Sequence, residues 1–392
     1  MKRTEFLQEV LKMRFDEARS GWKAGRLTQE EAARLLGVCE RTFRRQLWRY
    51  EDGGLDGLRD KRLGQVSNRR VPVDELTHML VTYRDRYRGW NVRHFYWHYR
   101  DKHKGTRSYT WVKKSLQKAG DVAKAPGKGK HRRRRDPSPI PGMMIHQDAS
   151  SHEWVPEKKW DLVVTMDDAT NEHYSMFFTE QEGTASSFRG VGDVIVAYGL
   201  FSSFYSDRGS HYWLTDEAGG KVNKANPTQF GIAMSRLGIV MIPAYSPEAR
   251  GRSERMFSTH QDRLVKELAL EGITEMDAAN RYLAEAYMPA FNREFKRPAR
   301  EEGSAFVPYA GPDLADILCE QHNRVVGNDN CVRFEGLVLQ IPKAEHRFHF
   351  VKATVKVCCY PDGRLAVFHG PRKLAVYDSM GKEVKKCVKA VA

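Results

Sequence analysis

Three acidic residues have the settings that metal-binding carboxylates need: Asp148 in MIHQDASSHEW, Asp207 in FYSDRGSHY and Glu254 in SPEARGRSERMFSTHQDRLVKEL. The first two lie in short, mostly apolar runs rich in β-branched and aromatic residues, the pattern of strands. The third follows a helix start. Ser246 can cap it, Pro247 suits the first turn, and Phe257, Leu264 and Leu268 recur on one face. A carboxylate in a strand, or on a helix face beside apolar residues, is costly to bury alone, and bound cations remove that cost. Such oxygen donors suit Mg²⁺, which usually takes one or two carboxylates and keeps several waters. Two ions about 3.5–4 Å apart would clamp the attacking and leaving oxygens of an in-line phosphoryl displacement. Taken singly, any of the 50 acidic residues also fits a solvated or capping role. The joint context of strand, strand and Arg-flanked helix points to metal chemistry.

The phrases HQDASSHEW, DLVVTMDDAT, YSDRGSHY and SPEARGRSERMFSTHQDRLVKEL resemble the catalytic core of insertion-sequence transposases of the ISNCY type. Those belong with retroviral integrases in the ribonuclease-H-like DDE superfamily. The resemblance is dense from Met143 to Phe295 and thinner elsewhere. It implies that Asp148, Asp207 and Glu254 form a catalytic triad holding two Mg²⁺ or Mn²⁺ ions per active site, with Asp148 bridging both. The rival acids Asp167 and Asp168 then fall on the second strand, away from the triad. The implied activity is phosphodiester hydrolysis at each end of a mobile element, followed by attack of the freed 3′-hydroxyl on a target strand. No covalent protein–DNA intermediate is needed. A non-catalytic DNA-binding regulator and a metal-dependent nuclease without strand transfer are the other readings.

A catalytic domain is expected over 142–310. Strands should run through Asp148, Asp161–Asp167 and His173–Thr179, with a turn at Thr170-Asn171. A helix over Thr184–Tyr198, a strand over Phe201–Ser206, a helix over Thr228–Leu237, a strand over Ile239–Ile242 and the Glu254 helix complete it. This is the ribonuclease-H-like order. Asp207 and Glu254 are 47 residues apart, and the polar stretch Leu214–Pro227 reads as an inserted loop. His146, Gln147, Arg208, Gly209 and His211 adjoin the two aspartates. Arg250, Arg252 and Arg255 surround Glu254, where positive charge would hold phosphates. Gln261, Asp262, Arg263 and Lys266 extend the helix toward a DNA end.

Charge is divided unevenly over the 392 residues. Residues 1–140 carry 35 Lys and Arg against 17 Asp and Glu, whereas the rest carry 30 against 33. A basic front third predicts double-stranded DNA as partner. Within a domain expected over 1–60, Leu27–Tyr50 reads as a helix-turn-helix. Thr28 and Glu31 make a capping box, and Ala32, Ala33, Leu35 and Leu36 supply the buried face. Gly37 permits the turn, and Val38, Phe43 and Leu47 continue the core. Arg41, Arg44, Arg45 and Arg49 are then outward on the recognition helix. Periodicity is lost from Glu51, and 61–72 reads as a linker bearing Arg69 and Arg70. A second helix-turn-helix-like domain is expected over 73–120. Leu76, Leu80 and Tyr83 mark one helix, and Val92, Phe95 and Tyr99 a second. In a third, Trp111 and Leu116 face inward with Lys113, Lys114 and Lys118 outward. Residues 121–141, with Arg132, Arg133, Arg134 and Arg135, form a basic linker for phosphate contact.

Alternating short runs at Cys331–Ile341, Thr354–Tyr360, Leu365–Phe368 and Lys373–Tyr377, with a Pro361-Asp362-Gly363 turn, predict a small β-barrel over 311–392. The six cysteines show no disulfide framework. Cys319, His322, Cys331, His346 and His349 match no compact zinc finger. No signal peptide or membrane-spanning run is present, so a cytoplasmic bacterial protein with reduced thiols is expected, nucleoid-associated when bound to DNA. The expected partners are element ends and target DNA, no membrane, and further copies of the chain once DNA is bound.

Overall fold

A computed structural model describes residues 3–60, 71–124, 136–215, 217, 220–245, 247–344 and 347–384. The chain divides into two compact units, Met1–Arg86 and Tyr87–Ala392. Arg69, Arg70, Arg132, Arg133, Arg134, Arg135, Ser246 and His346 lie outside the described residues. No helix among the described residues is long and apolar enough to cross a membrane.

The first unit is helical: α1 (Arg3–Lys23), α2 (Gln29–Leu35), α3 (Glu40–Gly57) and α4 (Val73–Arg86). Both halves of the expected capping box form. Thr28 Oγ1 accepts from Glu31 N, and Glu31 Oε2 accepts from Thr28 N at 2.7 Å. Such a cap stabilises a helix start by about 1 kcal/mol. Gly37 takes φ +68° in the turn between α2 and α3, a conformation costly for a side chain. Ala32, Ala33, Phe43 and Leu47 are buried as expected, and they pack on Phe15 and Ala18 of α1, a helix the sequence reading left out. Leu35 is a correction: it is 54% exposed, because the helix ends there and turns it outward. The stretch from Glu51 is likewise helical to Gly57, with the break confined to Gly53 and Gly54.

The second unit opens with α5 (Val92–Asp101) and α6 (Tyr109–Ala119), so that α4 falls in the first unit and these two in the second. Asn91 and Ser108 cap them, and Gly120 closes α6 at φ +80°. Val112 and Leu116 are the buried residues of α6. Trp111, expected inside, is only half-buried.

The central sheet comprises β1 (Met144–Val155), β2 (Lys158–Asp167), β3 (His173–Thr179), β4 (Ser203–Ser206) and β5 (Val240–Pro243), in the order β3-β2-β1-β4-β5. The first three are antiparallel, and β4 and β5 run parallel to β1 and to each other. α7 (Thr184–Tyr198) and α8 (Gln229–Arg236) pack on one face around Ile145, Phe188, Val191, Phe204 and Phe230. α9 (Pro247–Leu270), α10 (Met276–Tyr282), a π-helical turn over Leu283–Tyr287 and α11 (Met288–Phe295) cover the other. There Leu162, Val164, Met166 and Phe178 meet Phe257, Leu264, Leu268 and Phe291. With both faces covered, β2 and β3 are buried almost throughout rather than alternately. The elements and their order agree with the sequence expectation.

The C-terminal region differs from it. Strands β6 (Glu320–Val325), β9 (Thr354–Cys359), β10 (Leu365–His369) and β11 (Arg372–Tyr377) form an open four-stranded sheet in the order β11-β10-β9-β6. The run expected as one strand at Cys331–Ile341 is a hairpin, β7 (Cys331–Phe334) and β8 (Leu337–Gln340), folded at Glu335 and Gly336 with φ +47° and +80°. Sheet and hairpin share a core of Val332, Leu339, Val357 and Val367, yet no ladder closes them into a barrel among the described residues.

Candidate active site

Strand register positions the first two acids. In the parallel ladder Met144, Ile145 and His146 pair with Ser203, Phe204 and Tyr205. Two residues on, the same register brings Asp148 level with Asp207, at neighbouring strands about 4.8 Å apart. One oxygen of each is tied to the following turn. Asp148 Oδ1 accepts from Ala149 N at 3.0 Å, and Asp207 Oδ1 from Gly209 N at 2.9 Å. A Cβ on Gly209 would stand 3.0 Å from Asp207 Oδ1 and 3.0 Å from the His211 ring, so this turn leaves little room for a side chain.

Helix α9 approaches from the other face in a readable register. Gln261 Nε2 donates to Ser150 Oγ at 3.0 Å, and Lys158 Nζ donates to Thr274 O, just past the helix, at 3.0 Å. α9 therefore runs parallel to β1. Glu254 precedes Gln261 by seven residues, about 10.5 Å and nearly two whole turns, so both share a helix face. That distance spans about three strand residues back from Ser150, which sets Glu254 level with Gln147 and Asp148. Ser150 and Asp148 share one face of β1. Glu254 and Arg255 are exposed, and Arg250 and Arg252 occupy the first turns of the same helix.

Beneath the aspartates is a hydrogen-bonded floor that the sequence reading did not anticipate. Buried Gln147 donates to Thr165 Oγ1 at 2.8 Å and accepts from Tyr212 Oη at 2.9 Å. Tyr212 accepts in turn from Ser187 Oγ at 3.1 Å. Burial, then Glu182, with Asp148 and Asp207 adding, pushes the Tyr212 phenol well above its ordinary value. It stays a protonated donor. No sequence periodicity marks Ser187 or Tyr212, because their partners lie 25 and 65 residues away.

Asp167 and Asp168 are fully buried at the start of β1, with Asp167 paired to Ile145, three residues before Asp148. Asp167 accepts from Gly142 N, Thr170 N and Thr170 Oγ1 at 2.8–2.9 Å, and burial raises its carboxyl above the ordinary range. Asp168 accepts from Ser138 N and Oγ and meets His146 Nε2 at 2.8 Å. His146 is thus directed away from the aspartate pair, a correction to its expected role beside Asp148. A second correction concerns the far half of α9. Arg263 is buried in a two-pronged ion pair with Glu294 at 2.7 and 3.3 Å. Asp262 is bonded to Asn91 and Lys266. Arg263 thus joins α9 to α11 and Asp262 joins it to Asn91 at the start of α5, while Lys266 pairs with Asp262 along α9 itself.

Of the expected DNA contacts, Arg41, Arg44, Arg45 and Arg49 are all exposed on α3, beside a Trp48 that is 70% exposed. On α6 Lys114 and Lys118 are exposed and Lys113 is half-buried.

Helix-turn-helix and mixed sheet define the class: a helix-turn-helix unit in one chain with a core of ribonuclease-H-like strand order. A winged helix-turn helix family model matches residues 18–72. The protein y4bF of Sinorhizobium fredii, named as a transposase, is 31% identical over 349 residues, covering 88% of this chain and 75% of its own. The transposase for insertion sequence IS1202 of Streptococcus pneumoniae is 24% identical, covering 84% and 78%. A chain of the simian T-cell lymphotropic virus intasome, solved with PP2A regulatory subunit B56 gamma, aligns over 74% of this chain and 91% of its own, at 13% identity and a TM-score of 0.34. The chain belongs to the transposases.

Proposed function

We propose that this transposase hydrolyses a phosphodiester at each end of its element and joins the freed 3′-hydroxyl to target DNA, with Asp148, Asp207 and Glu254 as its catalytic carboxylates. The observation that carries the reading is the register: Asp148 level with Asp207 across parallel strands, and Glu254 drawn to the same level by the Gln261–Ser150 bond. Three carboxylates carried by β1, the end of β4 and α9 would make a hard oxygen donor set suited to two Mg²⁺ or Mn²⁺ ions. When bound, such ions supply a more acidic nucleophile and charge stabilisation at the phosphorus. Asp148, Asp207 and Glu254 would hold them.

The protein's own residues supply placement. Ala149 N and Gly209 N each hold one oxygen of an aspartate. The Gln147–Tyr212–Ser187 floor holds both strand ends at constant height. Arg255, with Arg250 and Arg252 on the same helix, would attract substrate phosphates. In the first unit the exposed arginines of α3 would read the terminal inverted repeats, with Lys113, Lys114 and Lys118 gripping phosphates. Synapsis of two ends would require more than one copy of the chain.

Asp148→Asn, Asp207→Asn and Glu254→Gln keep size and remove one charge each. Assayed on labelled element ends with Mg²⁺, each should lose nearly all cleavage and joining while still binding the ends. Joining at the normal rate by all three would overturn the assignment. Cleavage without joining in the wild type would make the chain a nuclease, and binding with neither would make it a regulator.

A further inference from the structure

Outside the proposed active site, α5 and α9 bring together three buried side chains with the donors of a transition-metal site. His94 and His98, one turn apart on α5, both direct Nε2 at one oxygen of Glu267 on α9, at 2.6 and 2.7 Å. All three residues are at most 4% exposed, and their ligand atoms lie within 4.8 Å of one another. The other Glu267 oxygen accepts from Tyr282 Oη at 3.0 Å, and Trp90 stacks on the His94 ring at 4.1 Å.

Without a metal, both imidazoles crowd a single carboxylate oxygen. To donate to one carboxylate oxygen, each Nε2 must carry a proton, which leaves each neutral ring a bare Nδ1 acceptor. Both Nδ1 atoms are buried without a hydrogen-bond partner among the described residues. Beside His94 and Glu267 there is also a cavity of about 20 Å³, bordered by Arg263 and Trp97. That is enough for one water molecule.

We propose that His94, His98 and Glu267 form a zinc site, with a water from the adjoining cavity as fourth ligand, that pins α5 to the helix carrying Glu254. Two imidazoles and a carboxylate suit Zn²⁺, and their nitrogen content disfavours Mg²⁺. Bond lengths near 2.0–2.1 Å place tetrahedral ligand atoms roughly 3.3 Å apart, so the present contacts need open by less than about 1 Å. The ion takes the place of the two Nε2 protons, which shift to Nδ1, so that each ring stays neutral and ligates through Nε2. Glu267 lies 13 residues after Glu254, about 20 Å along the helix, so the site is structural and distinct from the proposed catalytic triad.

The test uses full-length protein stripped with a chelator, then dialysed against Zn²⁺ or titrated with Co²⁺. One zinc per chain should be retained by elemental analysis. Co²⁺ should give the intense visible absorption of a tetrahedral site, and zinc should raise the melting temperature. Glu254→Gln should retain all three properties, which separates this site from the proposed active site. His98→Gln and Glu267→Gln should lose them. A wild-type chain that retains no zinc and gives no tetrahedral Co²⁺ spectrum overturns the proposal, whether or not the variants fold. So does undiminished binding by both folded variants.

Discussion

His173 and His260 meet Nε2 to Nε2 at 3.0 Å, both rings buried where β3 packs against α9. The surrounding bonds assign every proton. Asn171 O accepts from His173 Nδ1 at 3.1 Å, so His173 Nε2 is bare and accepts from His260 Nε2. His260 Nδ1 then accepts from Tyr287 Oη at 3.0 Å. Both rings must be neutral.

The pair makes folding acid-sensitive. Burial lowers the His173 value to about 4 and His260 well below its ordinary range. A histidine lowered on folding contributes fully above its unfolded value, near 6.5. It loses that contribution as pH falls toward about 4, because the unfolded chain takes up the proton first. For His173 this amounts to roughly 3 kcal/mol across the window. Urea unfolding at pH 7.5 and 4.5 should show the loss, and a His173→Gln, His260→Gln double variant should show a flatter profile. An equal slope in both proteins would count against the assignment.

Asp167→Asn and Asp168→Asn should destabilise without removing the chemistry. An amide offers one acceptor oxygen where Asp167 uses both, so a buried N–H of Gly142 or Thr170 would face an NH₂ group. The cost is about 1–3 kcal/mol for each variant. Thermal melts should shift down, while element-end cleavage persists well below the new midpoint.

Gly190→Ala tests the floor beneath the aspartates. Alanine ordinarily favours a helix over glycine by up to about 1 kcal/mol. Here its Cβ would fall 2.1 Å from Gln147 Nε2 and 2.6 Å from Thr165 Oγ1, so α7 would have to move off the sheet. Destabilisation of about 1–3 kcal/mol is expected. Joining should fall further than stability, because Gln147 adjoins Asp148. Calorimetry and a joining assay measured together would show the difference.

Arg44→Ala and Arg45→Ala should weaken binding to the element ends by about 1–3 kcal/mol if either arginine reads a guanine bidentately. Lys114→Ala and Lys118→Ala should instead weaken binding to all duplexes and reduce its salt dependence. Fluorescence anisotropy on specific and random duplexes, over a range of salt, separates the two. Unchanged affinity in both arginine variants would move recognition off α3.

Much of the fold was legible because its signals are local. The Thr28–Glu31 cap, the Gly37 turn, the strand runs through Asp148 and Asp207 and the helix after Pro247 each depend on residues within a few positions. The C-terminal barrel failed as an expectation for the same reason. Short alternating runs specify strands and hairpins, but whether a sheet closes depends on how its edges meet.

The sequence by itself determined which residues could do chemistry, which elements hold them, and that the front third carries the positive charge. Tertiary structure decided which acids share a level. Asp148 and Asp207 are 59 residues apart and come together only through a parallel register, whereas Asp167 and Asp168, equally acidic and adjacent in motif, are turned into buried bonds. It also decided that Arg263 pairs inward with Glu294 and that His94 and His98 find Glu267, 173 and 169 residues away. Periodicity reports which face of an element is buried, and the side chain that meets a given polar atom there is selected by packing between elements distant in the chain.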